Sequence, residues 1–348
     1  MVSLSWPLQA PPPQDMRWLA VEDASAVVAC RNAGLAMASR LHFPAARADS
    51  LALAVTEAAS NLYKHARQGA LLLSVNRDAD APGIDLVTID SGPGLRDVSA
   101  AMQDGHSTAG TLGIGLGAIR RLADFCDLYS VPGHGTALVA RFWPVSREPV
   151  SREPVSREPS IRSAGLIRPI AGEVECGDAF GVLRTDDAVT AVFCDGLGHG
   201  PLAAAAAAAA RAAVLGEPAG EPVTLLERAH RRMSGTRGGA VAVVQVSRER
   251  ARFAGLGNVA AFILSAGSRK SMLSVPGIAG YQARAFRQFE YEVPPGAAVI
   301  LHSDGISSRW EAAAVPGVET KDPLLIAAVL LAEAGIHRDD AGVVVLAS

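Results

Sequence analysis

The chain has 348 residues, 49% of them hydrophobic and 19% charged, with a formal net charge of -3. That length suggests roughly two domains, each able to bury a core, and the composition excludes disorder as the main state. With no basic excess and only 5% aromatics, nucleic acid is not an expected partner. Cys30, Cys126, Cys176 and Cys194 form no CxxC pair. Neither a zinc ribbon nor a disulfide framework is expected, and a reducing cytoplasm fits best. The first residues lack the basic stretch and apolar run of a signal peptide. The apolar stretches at 201–216 and 254–268 are too broken or too short to span a membrane.

In chain order, periodicity predicts helices over 24–41 and 48–65 and strands over 71–76 and 85–89. A glycine-rich stretch, 105–117, then runs into a helix over 118–125, and a strand follows at 136–142. Residues 145–159 read VSREP three times. Proline in every unit disfavours helix, so this reads as an exposed, semi-stiff linker. It separates a block at 1–144 from one at 160–348. The second block opens with strands over 179–183 and 188–194. Helices follow at 201–215, where Ala and a leading Pro favour one, and at 223–233. Five strands come next, at 239–247, 250–254, 260–264, 288–293 and 298–302. A helix over 323–334 and a strand over 342–346 close the block. Each block is α+β, and the second has the strand content of a layered sandwich.

Three clusters in the first block carry chemistry. Glu57 and Asn61 are one helical turn apart and share a face, either as a plain polar face or as oxygen donors that hold a hard cation and orient a water. Asp90-Ser91-Gly92-Pro93-Gly94 follows a strand. It is either an ordinary turn or a place where glycines let a base or phosphate approach the backbone. Gly110-Thr111-Leu112-Gly113-Ile114-Gly115-Leu116-Gly117 leads into a helix, and its exposed N–H groups suit phosphate. The P-loop lysine is missing, and the run does not follow the first strand of a βαβ unit, so neither better-known nucleotide fold fits.

The order Glu-x3-Asn, DxGxG, GTxGxGLG and Gly135-Thr136 resembles the GHKL ATPase superfamily, whose fold is a Bergerat-type α/β sandwich. The strings VTEAASNLYKHA and STAGTLGIGLGAIRRLAD are most similar to the small serine kinases of bacterial sigma-factor control, of the stressosome switch-kinase (RsbT) type. The resemblance implies that Glu57 activates a protein hydroxyl and that Asn61 ligates Mg²⁺ on the ATP phosphates. Asp90 would bind the adenine amino group, with Gly92 and Gly94 making room. Gly110, Thr111, Gly113, Gly115 and Gly117 would form the phosphate lid, and Thr136 would support the adenine contact.

In the second block, aspartates sit in four strand-end settings: Gly177-Asp178, Asp195-Gly196-Leu197-Gly198-His199-Gly200, Ser303-Asp304-Gly305 and Asp339-Asp340. Any one pair reads equally as a turn. Without a His or Cys cluster, the set suits a hard, oxygen-preferring ion. PIAGEVECGDAF, VFCDGLGHGPLAAAA, FAGLGNVAAFI, ILHSDGISSRW and DDAGVVVL, in this order, resemble the SpoIIE-type branch of the PPM phosphatases, an αββα sandwich. The short feedback phosphatases (RsbX type) share the stretch Thr236-Arg237-Gly238. The resemblance implies that Asp195 bridges two Mn²⁺ or Mg²⁺ ions, with the Gly196 carbonyl, Asp178, Asp304 and Asp339 completing the site. Asp340 is the weaker ligand of its pair, and Gly342 stands where the family usually has Thr or Ser. Asn258 and His199 read as turn residues, and Cys176 and Cys194 as small buried thiols.

Together the resemblances imply a cytoplasmic regulator of bacterial partner switching. A Ser/Thr kinase domain would be joined to a metal-dependent phosphoserine/phosphothreonine phosphatase acting on STAS-type antagonists. A sigma factor or a downstream phosphatase is a further implied partner. The alternative is a phosphatase gated by a non-catalytic ATP-sensing or anti-sigma binding module.

Overall fold

A computed structural model describes residues 8–77, 81–102, 115–145, 161–185, 187–217, 219–336 and 338–347. The VSREP residues 146–159 and the expected lid residues Gly110, Thr111 and Gly113 lie outside the described residues. The chain divides into two compact units.

The first strand, β1 (Leu8–Gln9), belongs to the C-terminal unit, so the units part at Ala10–Pro11 rather than at the chain's start. The reason is a sheet edge. Leu8 and Gln9 pair antiparallel with Val182 and Gly181. Ala10 N donates to Phe180 O (2.9 Å), and Ala10 is buried. Deleting residues 1–10 removes the paired backbone and leaves that edge of β8 unpaired. The expected cost is about 1–3 kcal/mol, or roughly 2–12 °C in the unfolding temperature of the C-terminal unit. Calorimetry checks this, and an unchanged transition would contradict the pairing.

The N-terminal unit contains β2 (Met16–Ala20), α1 (Ala24–Arg40), α2 (Ala45–His65), β3 (Ala70–Asn76), β4 (Gly83–Asp90), α3 (Val98–Ala101), α4 (Leu116–Leu122), β5 (Phe125–Val131) and β6 (Gly135–Phe142). Asp23 starts α1 by accepting from the Ser25 and Ala26 amides. In α2 the buried residues Leu51, Val55, Ala58, Ala59 and Leu62 recur at helical spacing. That stripe packs with α1 and α4 onto an antiparallel sheet of order β2-β3-β4-β6-β5. The core includes Leu71, Leu73, Leu86, Ile119 and Phe142. The helix expected over 118–125 is corrected: α4 ends at Leu122, and Phe125 opens β5, paired along its length with β6.

The C-terminal unit continues with β7 (Arg162–Arg168), β8 (Asp178–Arg184), β9 (Val189–Gly196), α5 (Pro201–Gly216), α6 (Pro222–Arg232), β10 (Gly239–Ser247), β11 (Arg250–Leu256), β12 (Ala260–Ser265) and β13 (Ser268–Ser271). Then come β14 (Gly277–Ile278), β15 (Gln282–Ala283), β16 (Phe289–Glu292), β17 (Ala298–His302), α7 (Pro323–Ala334) and β18 (Ala341–Ala347). One sheet runs β1-β8-β9-β10-β11-β16 and the other β13-β12-β17-β18-β7. α5 and α6 cover the first sheet, α7 covers the second, and β18 packs against β8 and β9. The result is the αββα sandwich expected for this block. Among the described residues, no helix is long and apolar enough to cross a membrane.

Candidate functional sites

In the N-terminal unit, the end of α2 and the end of β4 come together. Gly92 lies against the backbone of His65 and Ala66, at the C-terminus of α2. Glu57 and Asn61 sit half-buried in the C-terminal half of α2. Burial raises the Glu57 carboxyl above its ordinary value, while Lys64 pulls it back down. A carboxylate raised this way is a better proton acceptor than a solvated one.

Asp90 closes β4. It pairs with Thr136 of β6, which places the two residues at one edge of the site. Its carboxylate accepts from the Gly92 amide at 2.6 Å and from the Thr136 amide. Burial nonetheless keeps its pKa above the usual value. The surrounding glycines are obligatory. A Cβ on Gly92 would meet Asp90 Oδ1 at 2.6 Å, and one on Gly94 (φ +67°) would meet Val131 O at 2.2 Å. Ser130, which the sequence did not single out, joins these pieces. It accepts from Leu95 N (2.8 Å), and its hydroxyl lies 3.0 Å from that of Thr136. Gly115 caps α4, and Gly117 is buried in its first turn.

In the C-terminal unit, the four aspartate settings gather at one end of the sandwich. Asp178 begins β8, Asp195 lies near the end of β9, Asp304 follows β17 and Asp339 precedes β18. Asp178 and Asp195 are direct partners in the β8–β9 ladder. Like charges placed directly opposite repel, which is unfavourable without a compensating cation. Gly196 N donates to Gly177 O, and Ser303 N donates to Gly342 O, so the loops are sewn together in pairs. A Cβ on Gly196 would meet Ala203 O at 2.3 Å, and one on Gly305 would meet Asp340 O at 1.8 Å. Only glycine allows these approaches.

Polar neighbours orient the carboxylates. Ser303 Oγ donates to Asp178 Oδ2 (2.5 Å) and accepts from Gly342 N (3.0 Å). A side chain at Gly342 would press on Phe193 and Asp178, so Ser303 supplies the hydroxyl in this chain. Asn258 Nδ2 donates to Asp304 Oδ2 (2.6 Å), which makes it a partner of the cluster as well as a turn residue. Asp340 spends both oxygens on the Ile170 and Gly177 amides (2.7 and 2.8 Å). His199 Nδ1 lies 2.9 Å from Glu173 Oε1. Cys176 and Cys194 are buried free thiols, and burial holds both well above the ordinary thiol value.

Among the described residues, no group of three or more His, Cys, Asp or Glu side chains is already closed around one point. The carboxylates instead accommodate each other by holding protons. Burial, reinforced by Asp195, drives Asp178 well above the usual range. Burial and the charges of Asp304 and Asp339 push Asp195 up to about 7, and Asp195 shares a hydrogen bond with Asp304. Asp178 Oδ1 is buried with no hydrogen-bond partner. An orphaned carboxylate oxygen, mutual repulsion and an all-oxygen donor set fit a hard divalent cation.

The raised Asp195 value sets a pH dependence. Between 3.8 and about 7 the folded protein holds a proton that the unfolded chain has released. Its contribution to the stability of the ion-free protein therefore falls as pH rises through that window. A bound divalent ion offsets the repulsion. Mn²⁺ is thus expected to raise the unfolding temperature more at about pH 7.5 than at about pH 5. Thermal melts at both values check this. An equal or smaller Mn²⁺ effect at the higher pH would contradict it.

Comparison with known proteins follows the same division. The family model described as a histidine kinase-like ATPase domain matches residues 20–142, a span that includes Glu57, Asn61, Asp90 and Thr136. The model described as stage II sporulation protein E (SpoIIE) matches residues 185–346, which include Asp195, Asp304 and Asp339 but begin after Asp178. Serine/threonine-protein kinase RsbT of Bacillus subtilis (strain 168) is 36% identical over 117 residues, 34% of this chain and 88% of that protein. A chain solved in work on the bacterial stressosome as a modular system is 30% identical, with a TM-score of 0.49, covering 54% of this chain and 99% of that one. RsbX in complex with magnesium is 20% identical with a TM-score of 0.49, covering 55% and 98%. Through its N-terminal unit the chain belongs to the RsbT family of histidine kinase-like ATPase domains, and it carries a SpoIIE-type domain behind that unit.

Proposed function

We propose that this chain writes and erases the same kind of mark. The N-terminal domain transfers the γ-phosphate of ATP to a Ser or Thr hydroxyl of a STAS-type partner in the bacterial cytoplasm. The C-terminal domain hydrolyses such phosphoesters, and residues 145–159 link the two. The observation that supports the reading is that each compact unit gathers a polar cluster of its own. One has glycines that admit no side chain around Asp90, and the other a convergent set of aspartates around Asp195.

In the first domain, Glu57 is half-buried and proton-avid, and it accepts the proton of the attacking hydroxyl. Asn61, one turn on, would hold a Mg²⁺ ion that neutralises phosphate charge. Asp90 and Thr136 hold the adenine edge, and Gly92 and Gly94 leave it room. Gly115 and Gly117, with Gly110, Thr111 and Gly113 of the expected lid, would offer backbone amides to the phosphates. In the second domain, Asp178, Asp195, the Gly196 carbonyl, Asp304 and Asp339 would hold two divalent ions, Mn²⁺ or Mg²⁺. When bound, such ions neutralise phosphate charge and lower the pKa of a water molecule. Ser303 and Asn258 fix the carboxylates on which this depends.

The test is incubation with radiolabelled ATP and candidate STAS proteins, followed by phosphosite mapping. Label on a Ser or Thr of the partner is the expected result. ATP binding without a labelled product would overturn the kinase assignment and favour a gating module.

A further inference from the structure

The acidic cluster has a basic neighbour with no part in the reading above. Arg237 lies in the turn between α6 and β10. The turn is fixed from inside. Thr236 Oγ1 donates to Met233 O (2.7 Å) and accepts from Gly238 N (3.1 Å), and Gly235 and Gly238 take positive φ. It is also bound to the Asp195 loop, because Leu197 N donates to Gly238 O (3.0 Å). Within that loop Gly198 has φ +85°, and a Cβ there would lie 3.1 Å from Arg237 Nη1. The missing side chain at 198 is therefore the seat of the guanidinium, three residues beyond Asp195.

Arg237 is exposed and makes no hydrogen bond or ion pair among the described residues. Several other arginines of the unit are engaged: Arg168, Arg184, Arg228, Arg252 and Arg269 each bond to a carbonyl, hydroxyl or carboxylate. A guanidinium is always charged, and its planar fork matches two oxygens of a phosphate. A phosphomonoester dianion approaching a ring of aspartates needs positive charge at the rim as well as at the centre.

We infer that Arg237 is a substrate-binding residue of the phosphatase site, taking two phosphoryl oxygens of a phosphoseryl or phosphothreonyl segment. The phosphate product, also a dianion, binds the same fork. The inference rests on the phosphatase reading of the C-terminal domain.

The test compares the full chain with R237A and R237K in Mn²⁺. KM for a phosphoserine peptide and the inhibition constant of inorganic phosphate are both measured. R237A is expected to raise both by roughly 10- to 100-fold, the effect of a charge-assisted hydrogen-bond pair. The change in kcat should be smaller, and Mn²⁺ affinity and unfolding temperature should stay at wild-type values. R237K, which keeps the charge but loses the fork, should fall between. Unchanged KM and phosphate inhibition in R237A would overturn the inference while leaving the phosphatase reading intact. A wild-type chain without Mn²⁺-dependent turnover would overturn that reading and the inference with it.

Discussion

Asp195→Ala is expected to abolish Mn²⁺-dependent release of phosphate from a phosphoserine substrate. Asp195 interacts with the other carboxylates of the cluster. It faces Asp178 across the ladder and shares a hydrogen bond with Asp304, and its titration is shifted by Asp304 and Asp339. A divalent-ion centre contributes several kcal/mol of transition-state stabilisation, so its loss corresponds to roughly a 10³-fold drop or more. The fold should survive, since alanine fits a strand flanked by the buried Cys194 and by Gly196. The substitution also removes a like charge. The ion-free variant should therefore melt no lower than the parent near neutral pH, while its stabilisation by Mn²⁺ disappears. Unchanged turnover, or a full Mn²⁺ shift in the melt, would sink the assignment of Asp195.

Asp90→Asn is the second large effect, and it falls on nucleotide binding. The asparagine keeps the shape of the side chain, and its carbonyl can still accept from Gly92 N. Its amide group then presents a donor where the carboxylate presented an acceptor, facing the adenine amino group that the proposal places there. A lost charge-assisted bond and a donor facing a donor cost about 2–3 kcal/mol together. At 1.4 kcal/mol per decade, ATP affinity should fall roughly 30- to 150-fold. Calorimetric titration checks this on a variant with an unchanged melt. Wild-type affinity would refute the adenine role and leave Asp90 as a turn-forming residue only.

The elements with strong periodicity were legible in the sequence. The stripe of α2, the alanine run of α5 and the continuous apolar run of β10 each carry their own signal, and the structure places them within a few residues of expectation. The strands that escaped notice carry weak local patterns. β2 is short and interrupted by Arg17, β13 is short and polar throughout, and β7 is bounded by arginines. β5 was hidden because Phe125-Cys126-Asp127 has no alternation of its own, and its strand character comes from pairing with β6. β1 is a two-residue strand whose partner lies more than 170 positions on.

The candidate sites show the same contrast. The glycine and aspartate motifs are contiguous strings, so order and spacing reveal them. Their supporting residues are not. Ser303 acts on Asp178, Asn258 on Asp304, and Asp340 on the Ile170 and Gly177 amides, across gaps of 125, 46, 170 and 163 residues. No local pattern marks a serine or asparagine for such a task. The one hint was position, since Ser303 directly precedes the Asp304-Gly305 pair. Gly342 had stood out as a departure from the usual Thr or Ser, and the structure supplies the reason: a Cβ there would meet the Phe193 ring at 2.7 Å and Asp178 Oδ2 at 3.0 Å.

The central claim is that one chain carries two opposed phosphate chemistries in two domains. The most direct measurement follows radiolabel from ATP on a STAS-type partner over time, in Mn²⁺, for the parent chain, Glu57→Ala and Asp195→Ala. With the parent, label should rise and then decay once ATP is removed. With Asp195→Ala it should rise and persist, and with Glu57→Ala it should not appear. Decay at the parental rate with Asp195→Ala, or undiminished labelling with Glu57→Ala, would contradict the account.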